Sequence, residues 1–145
     1  MFKHLLLPTD GSELSQEAVR KGLQFARESG ARVTGVGVAP QFHVFTFDTT
    51  MLEDTGEQYL AESRTQADKN LAMLQRAADE LGVACTTVVE VSDHPYEAII
   101  RVAERSACDL ILMASHGRRG MQGLLLGSET QKVLTHTKIP VLVYR

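Results

Sequence analysis

The sequence has no tryptophan, few prolines and only two cysteines in 145 residues, and each scarcity closes off a class of protein. Cys85 and Cys108 form no C-x-x-C pair and have no histidine at zinc-finger spacing, so neither a disulfide scaffold nor a zinc site is expected. Both read as small buried hydrophobes. With few prolines and no low-complexity run, disorder is not expected. No apolar stretch approaches the ~18 residues of a membrane-spanning helix. The run Leu5-Leu6-Leu7 stops at Pro8 and is too short for a secretory signal. The expected compartment is therefore the cytoplasm, with no membrane partner. A formal net charge of -3 and a pI near 5.9 lack the basic excess that phosphate-backbone binding needs, so nucleic acid is not an expected partner either.

What is present is an ordinary globular mixture, 43% hydrophobic and 23% charged, long enough to bury roughly two-thirds of its unfolded surface in one core. A single domain over 1–145 is expected. Short apolar or β-branched runs at 4–7, 32–38, 83–91, 109–114 and 139–144 predict strands. Helical spacing predicts helices from Ser12 or Ser15 to Gly30, over 53–81, from Pro95 to about Ala107, and from Ser128 to about Thr135. Residues 40–50, rich in Phe and Thr, have no clear period and are expected to be a long loop covering a site or meeting a protein partner. Strand and helix alternate throughout, which predicts an α/β fold with a parallel, doubly wound sheet and helices on both faces.

Ligands of such sheets bind beyond the carboxyl ends of the strands, where the strand order reverses. Two segments are equipped for that role. Pro8-Thr9-Asp10-Gly11 follows the first strand, and residues 114–128 follow the fourth. The latter carries glycines at 117, 120, 123 and 127, then Ser128 and Thr130 at a helix start. Glycine admits close backbone approach, and a helix start offers unpaired N–H groups to an anion. Arg118 and Arg119 add charge, and His116 adds a ring donor. Phosphate is the expected guest; composition alone fits a surface loop with solvated arginines equally well. Asp10 has two readings, a contact to a nucleoside or metal and an acceptor in its own turn.

Several chemistries have no support. GxxxxGK[ST], GxGxxG, GxSxG and HExxH are all absent. His4, His43, His94 and His136 have no metal spacing, and no residue stands out as a dedicated general base. No catalytic or metal residue is assigned.

Ala114-x-x-Gly117, nine residues, then Gly127-Ser128 resembles the Gly-x-x-Gly-x9-Gly-Ser/Thr signature of universal stress proteins, with Ala114 at the first glycine position. Residues 3–12, 107–113 and 139–143 resemble the family's first strand and turn, fourth strand and dimer-forming last strand. The resemblance implies a five-stranded parallel sheet in the order 3-2-1-4-5, of the adenine nucleotide α-hydrolase type. It implies ATP or AMP as ligand, with any Mg²⁺ held mostly by phosphate oxygens and water. Adenine would lie by Pro8, Thr9, Asp10 and Val38. Ribose and phosphates would meet Met113, Ala114, Gly117, Gly127, Ser128, Glu129 and Thr130, with His116 and Arg118 close by. A homodimer through the last strand (Ile139, Val141, Val143), a stress-response role and at most slow ATP hydrolysis are also implied. A nucleotide-free interaction module of the same fold is the alternative. An enzyme of the wider group is disfavoured by the absence of SGGxDS and HxGH.

Overall fold

The structure, a computed structural model, describes residues 1–41, 49–117 and 126–145, with side chains left out over 49–55. Arg118, Arg119, Gly120 and Gly123, and most of the expected 40–50 loop, lie outside the described residues. The elements are β1 (His4–Pro8), α1 (Glu13–Ser29), β2 (Arg32–Ala39), α2 (Thr49–Leu81), β3 (Cys85–Val91), α3 (Pro95–Arg105), β4 (Leu110–Ala114), α4 (Ser128–His136) and β5 (Val141–Tyr144). All strand pairs are parallel, in the order β3-β2-β1-β4-β5.

The core follows from the pleat. In the central strand Leu5, Leu6 and Leu7 are all fully buried, as a strand covered on both faces requires. Leu5 and Leu7 join Val33, Leu110 and Leu112 beneath α1 and α2, against Ala18, Leu23, Ala26, Leu74 and Ala78. Leu6, Val36, Ile111 and Met113 face the other way, against Ile99, Val102, Ala103 and Val133 of α3 and α4. The glycines of β2 have a packing reason. A Cβ on Gly35 would come within 2.8 Å of the Leu74 side chain, so the strand gives up side chains to let α2 lie close.

Helix ends set the registers. Ser12 caps α1 by accepting the Ser15 N–H, and Gly30 closes it at φ 69. Several boundaries differ from expectation. α3 ends at Arg105 rather than near Ala107, because Ala107 itself takes the left-handed turn, φ 56, normally left to glycine. α2 begins at Thr49, four residues before Glu53, so 49–50 are helix rather than loop. β5 starts at Val141, since Pro140 before it has no N–H for a ladder. Among the described residues no helix is long and apolar enough to cross a membrane.

Candidate functional site

β1 and β4 are neighbours in the sheet, yet the chain leaves β1 toward β2 on one side and reaches β4 on the other. A crevice therefore opens beyond their carboxyl ends. The first wall is the turn after β1. Pro8 pairs with Val36, and the Thr9 N–H donates to the Val36 carbonyl at 2.9 Å. Ser15 Oγ donates to Thr9 Oγ1 at 3.0 Å, and the Ser12 N–H donates to Asp10 Oδ1 at 2.9 Å. Gly11, at φ 79, makes the bend. Thr9 and Asp10 are thus fixed by the start of α1, and the turn-acceptor reading of Asp10 is realised in part. Val38, half-buried near the end of β2, packs against the core on the α3 side.

The second wall follows β4. The Ser115 N–H donates to the Tyr144 carbonyl at 2.7 Å, and the Gly127 N–H donates to the Ser115 carbonyl at 2.7 Å. Thr130 Oγ1 donates to the Ala114 carbonyl at 3.0 Å. The first bond ties the end of β4 to β5, and the other two dock the start of α4 onto the end of β4. Ala114 has no positive φ, and its methyl packs with the cluster beneath α1 and α2. Met113 is buried, so it turns only backbone to the crevice.

The two walls touch. A Cβ built on Gly117 would collide with the Asp10 carboxylate, and one on Gly127 would lie 3.0 Å from the His116 Cβ. Both positions thus need glycine for close approach rather than for an unusual φ. Gly127 is the N-cap of α4 with no side-chain cap. The first intrahelical bond there runs from the Gln131 N–H to the Gly127 carbonyl. The N–H groups of Ser128, Glu129 and Thr130 have no partner among the described residues, which leaves an electropositive helix end facing the crevice.

Glu129 behaves differently from the expected ligand contact. Its carboxylate accepts the Tyr96 N–H at 2.9 Å and lies 3.5 Å from Lys132 Nζ. It therefore caps α3, whose own N-cap, His94, supplies no side-chain bond. Only the Glu129 N–H is turned toward the crevice. The sequence reading missed this cap; its one local signal is the poor cap ahead of Pro95. It also missed Ser115, buried with its Oγ 3.0 Å from His116 Nδ1, and it read Ser15 only as a candidate cap of α1, not as the donor that holds Thr9. A cleft of about 150 Å³ opens on the α1–α2 side of the same turn, lined by Thr9, Gly11, Gln16, Arg20 and Asn70. Neither cysteine is a nucleophile of ordinary reactivity: burial pushes both the Cys85 and Cys108 thiols up to about 11.

The family model for the universal stress protein family matches residues 1–145. Universal stress protein MJ0531 of Methanocaldococcus jannaschii is 30% identical over 145 residues, which cover 100% of this chain and 83% of that protein. Universal stress protein YxiE of Bacillus subtilis is 30% identical over 149 residues, covering 100% of each. The solved structure of hypothetical protein MJ0577 superposes with a TM-score of 0.83 at 26% identity, over 99% of this chain and 96% of that one. Two structures of lower identity share the fold. One is a universal stress protein in complex with cAMP, with a TM-score of 0.72 and 23% identity over 99% of this chain and 97% of its own. The other, from Archaeoglobus fulgidus, is in complex with dAMP, with a TM-score of 0.71 and 17% identity over 100% of this chain and 98% of its own. With its sheet order and a family match over its whole length, this chain belongs to the universal stress protein family.

Proposed function

We propose that the chain is an adenine-nucleotide-binding regulator of the stress response, its ligand lying across the carboxyl ends of β1 and β4. The observation that carries this reading is the approach of Gly117 to the Asp10 carboxylate beside the open amino end of α4. One wall suits a nucleoside and the other suits phosphate. Adenine lies along Pro8, Thr9, Asp10 and Val38. Ribose and phosphates lie on the backbone of Met113, Ala114, Gly117 and Gly127, and on the N–H groups of Ser128, Glu129 and Thr130. The Ser128 hydroxyl, His116 and Arg118 add side-chain donors. Relatives of this fold with bound cAMP and dAMP support the choice of an adenine nucleotide. The ordinary φ of Ala114 and its inward methyl favour this reading over a nucleotide-free module.

Backbone donors of this kind bind ground-state phosphates without activating a water, so hydrolysis is at most slow. Any Mg²⁺ is held by phosphate oxygens and water. The assembly is a homodimer through β5, the outer strand beside β4. Ile139 and Val141 help cover the core there, while Leu142 is 39% exposed.

Equilibrium titration with Mg-ATP and with AMP tests the site. Saturable binding is expected in the native chain, and none in Gly127→Arg, whose side chain would strike His116. The absence of saturable binding at millimolar nucleotide in the native chain would overturn the reading.

A further inference from the structure

We propose that Ser115 sets the tautomer of His116 and so makes its Nε2–H a donor to the outer phosphates of a bound nucleotide. The inference rests on the nucleotide reading above and adds a positioning residue to it. Ser115 sits at the end of β4 with 1% of its surface exposed. Its N–H is used by the Tyr144 carbonyl, its carbonyl by the Gly127 N–H, and its Oγ lies 3.0 Å from His116 Nδ1. The Ser115 side chain therefore belongs to a residue held by backbone bonds on both sides, and its hydroxyl does not wander.

A buried hydroxyl needs an acceptor for its hydrogen, and among the described residues His116 Nδ1 is the acceptor within reach. Accepting that hydrogen requires Nδ1 to carry no proton of its own, which places the ring proton on Nε2. In the opposite tautomer Nδ1–H would donate to Oγ and strand the buried hydroxyl hydrogen, at the cost of an unsatisfied polar group. Because Nδ1 turns inward to Ser115, Nε2 faces outward across the ring. The His116 Cα and Cβ lie against Gly127, so this outward N–H stands beside the open N–H groups of Ser128, Glu129 and Thr130. It adds one neutral, oriented donor to that end of α4. Adenine lies at the other wall, by Thr9 and Asp10, and the ribose at the end of β4, by Met113 and Ala114, so the histidine, seated against Gly127 at the start of α4, meets the phosphates beyond the sugar. It should distinguish ATP from AMP.

The test pairs ring spectroscopy with binding. In long-range ¹H–¹⁵N spectra of the native chain without nucleotide, the His116 ring should show a protonated Nε2 and a bare Nδ1. Ser115→Ala should shift it toward a mixture, and Ser115→Thr, which keeps the hydroxyl, should restore the native pattern. Loss of one donor to a charged phosphate predicts about tenfold weaker Mg-ATP binding in His116→Ala. A smaller loss is expected in Ser115→Ala, with AMP affinity within about twofold of native in both. In the His116→Ala background Ser115→Ala should cost nothing further. An unchanged ring spectrum in Ser115→Ala, or equal losses for AMP and ATP, would overturn the role of Ser115 while leaving nucleotide binding intact. If the native chain bound neither nucleotide, the site reading would fail and this inference with it.

Discussion

His4 shows what burial does to a titratable side chain in this sheet. It is 7% exposed, and its Nε2 is hydrogen-bonded to Thr34 Oγ1 at 2.7 Å. Burial first, then the Arg32 guanidinium, push its pKa below the ordinary histidine value, although the Asp109 carboxylate pulls the other way. The unfolded chain therefore takes up this proton more readily than the folded one. Stability from His4 is full above about pH 6.5 and is lost as the pH falls below it. Urea midpoints should decline as the pH falls below about 6.5 in the native chain, and less in His4→Gln; parallel declines would refute the account. The glycines of the crevice make a second residue-scale contrast. Gly117→Ala drives a methyl into the Asp10 carboxylate, so nucleotide affinity should fall about tenfold or more. Ala114→Gly removes a methyl that points to the core, and affinity should stay within about twofold. Calorimetric titration of the two variants would separate them. Asp10, Gly117 and Gly127 were legible in the sequence because turn and signature chemistry is local. The Glu129 cap and the Ser115 bond were not, because each depends on a partner that tertiary packing supplies.

At the scale of elements, all five strands and four helices were legible from periodicity, and what drifted was their ends. Each drift has a cause. Ala107 occupies a left-handed position for which sequence reading waits for glycine, so α3 was expected to run on. Supplying that glycine should help: Ala107→Gly relieves the Cβ crowding of the left-handed turn and should stabilise the chain by about 1 kcal/mol. Thermal unfolding would show a raised midpoint, and a lowered one would mean that the turn is set by packing instead. The strand order itself was not readable from periodicity, which gives alternation but no neighbours; it came from the signature resemblance, and the sheet has it.

For the whole molecule, the feature that bears on assembly is the β5 edge of the sheet. The Ile111 N–H bonds the Pro140 carbonyl and the Ser115 N–H bonds the Tyr144 carbonyl, so the even-numbered residues of β5 point their backbone groups at β4. Val141 and Val143 then point theirs outward, the arrangement a partner strand requires. Val143→Pro removes one outward N–H and no bond to β4. It should convert the proposed dimer to monomer in sedimentation experiments with the fold retained, and a variant that stayed dimeric would place the interface elsewhere.

The first turn of α4 belongs to two helix ends at once. Its N–H groups face the crevice, while the Glu129 carboxylate holds the first turn of α3 through Tyr96. Anything that steadies the start of α4 must therefore also steady an amide on a different helix, with no contact to it. Hydrogen exchange at the Tyr96 amide should slow when nucleotide is added, which makes α3 a reporter of occupancy that a partner protein could read.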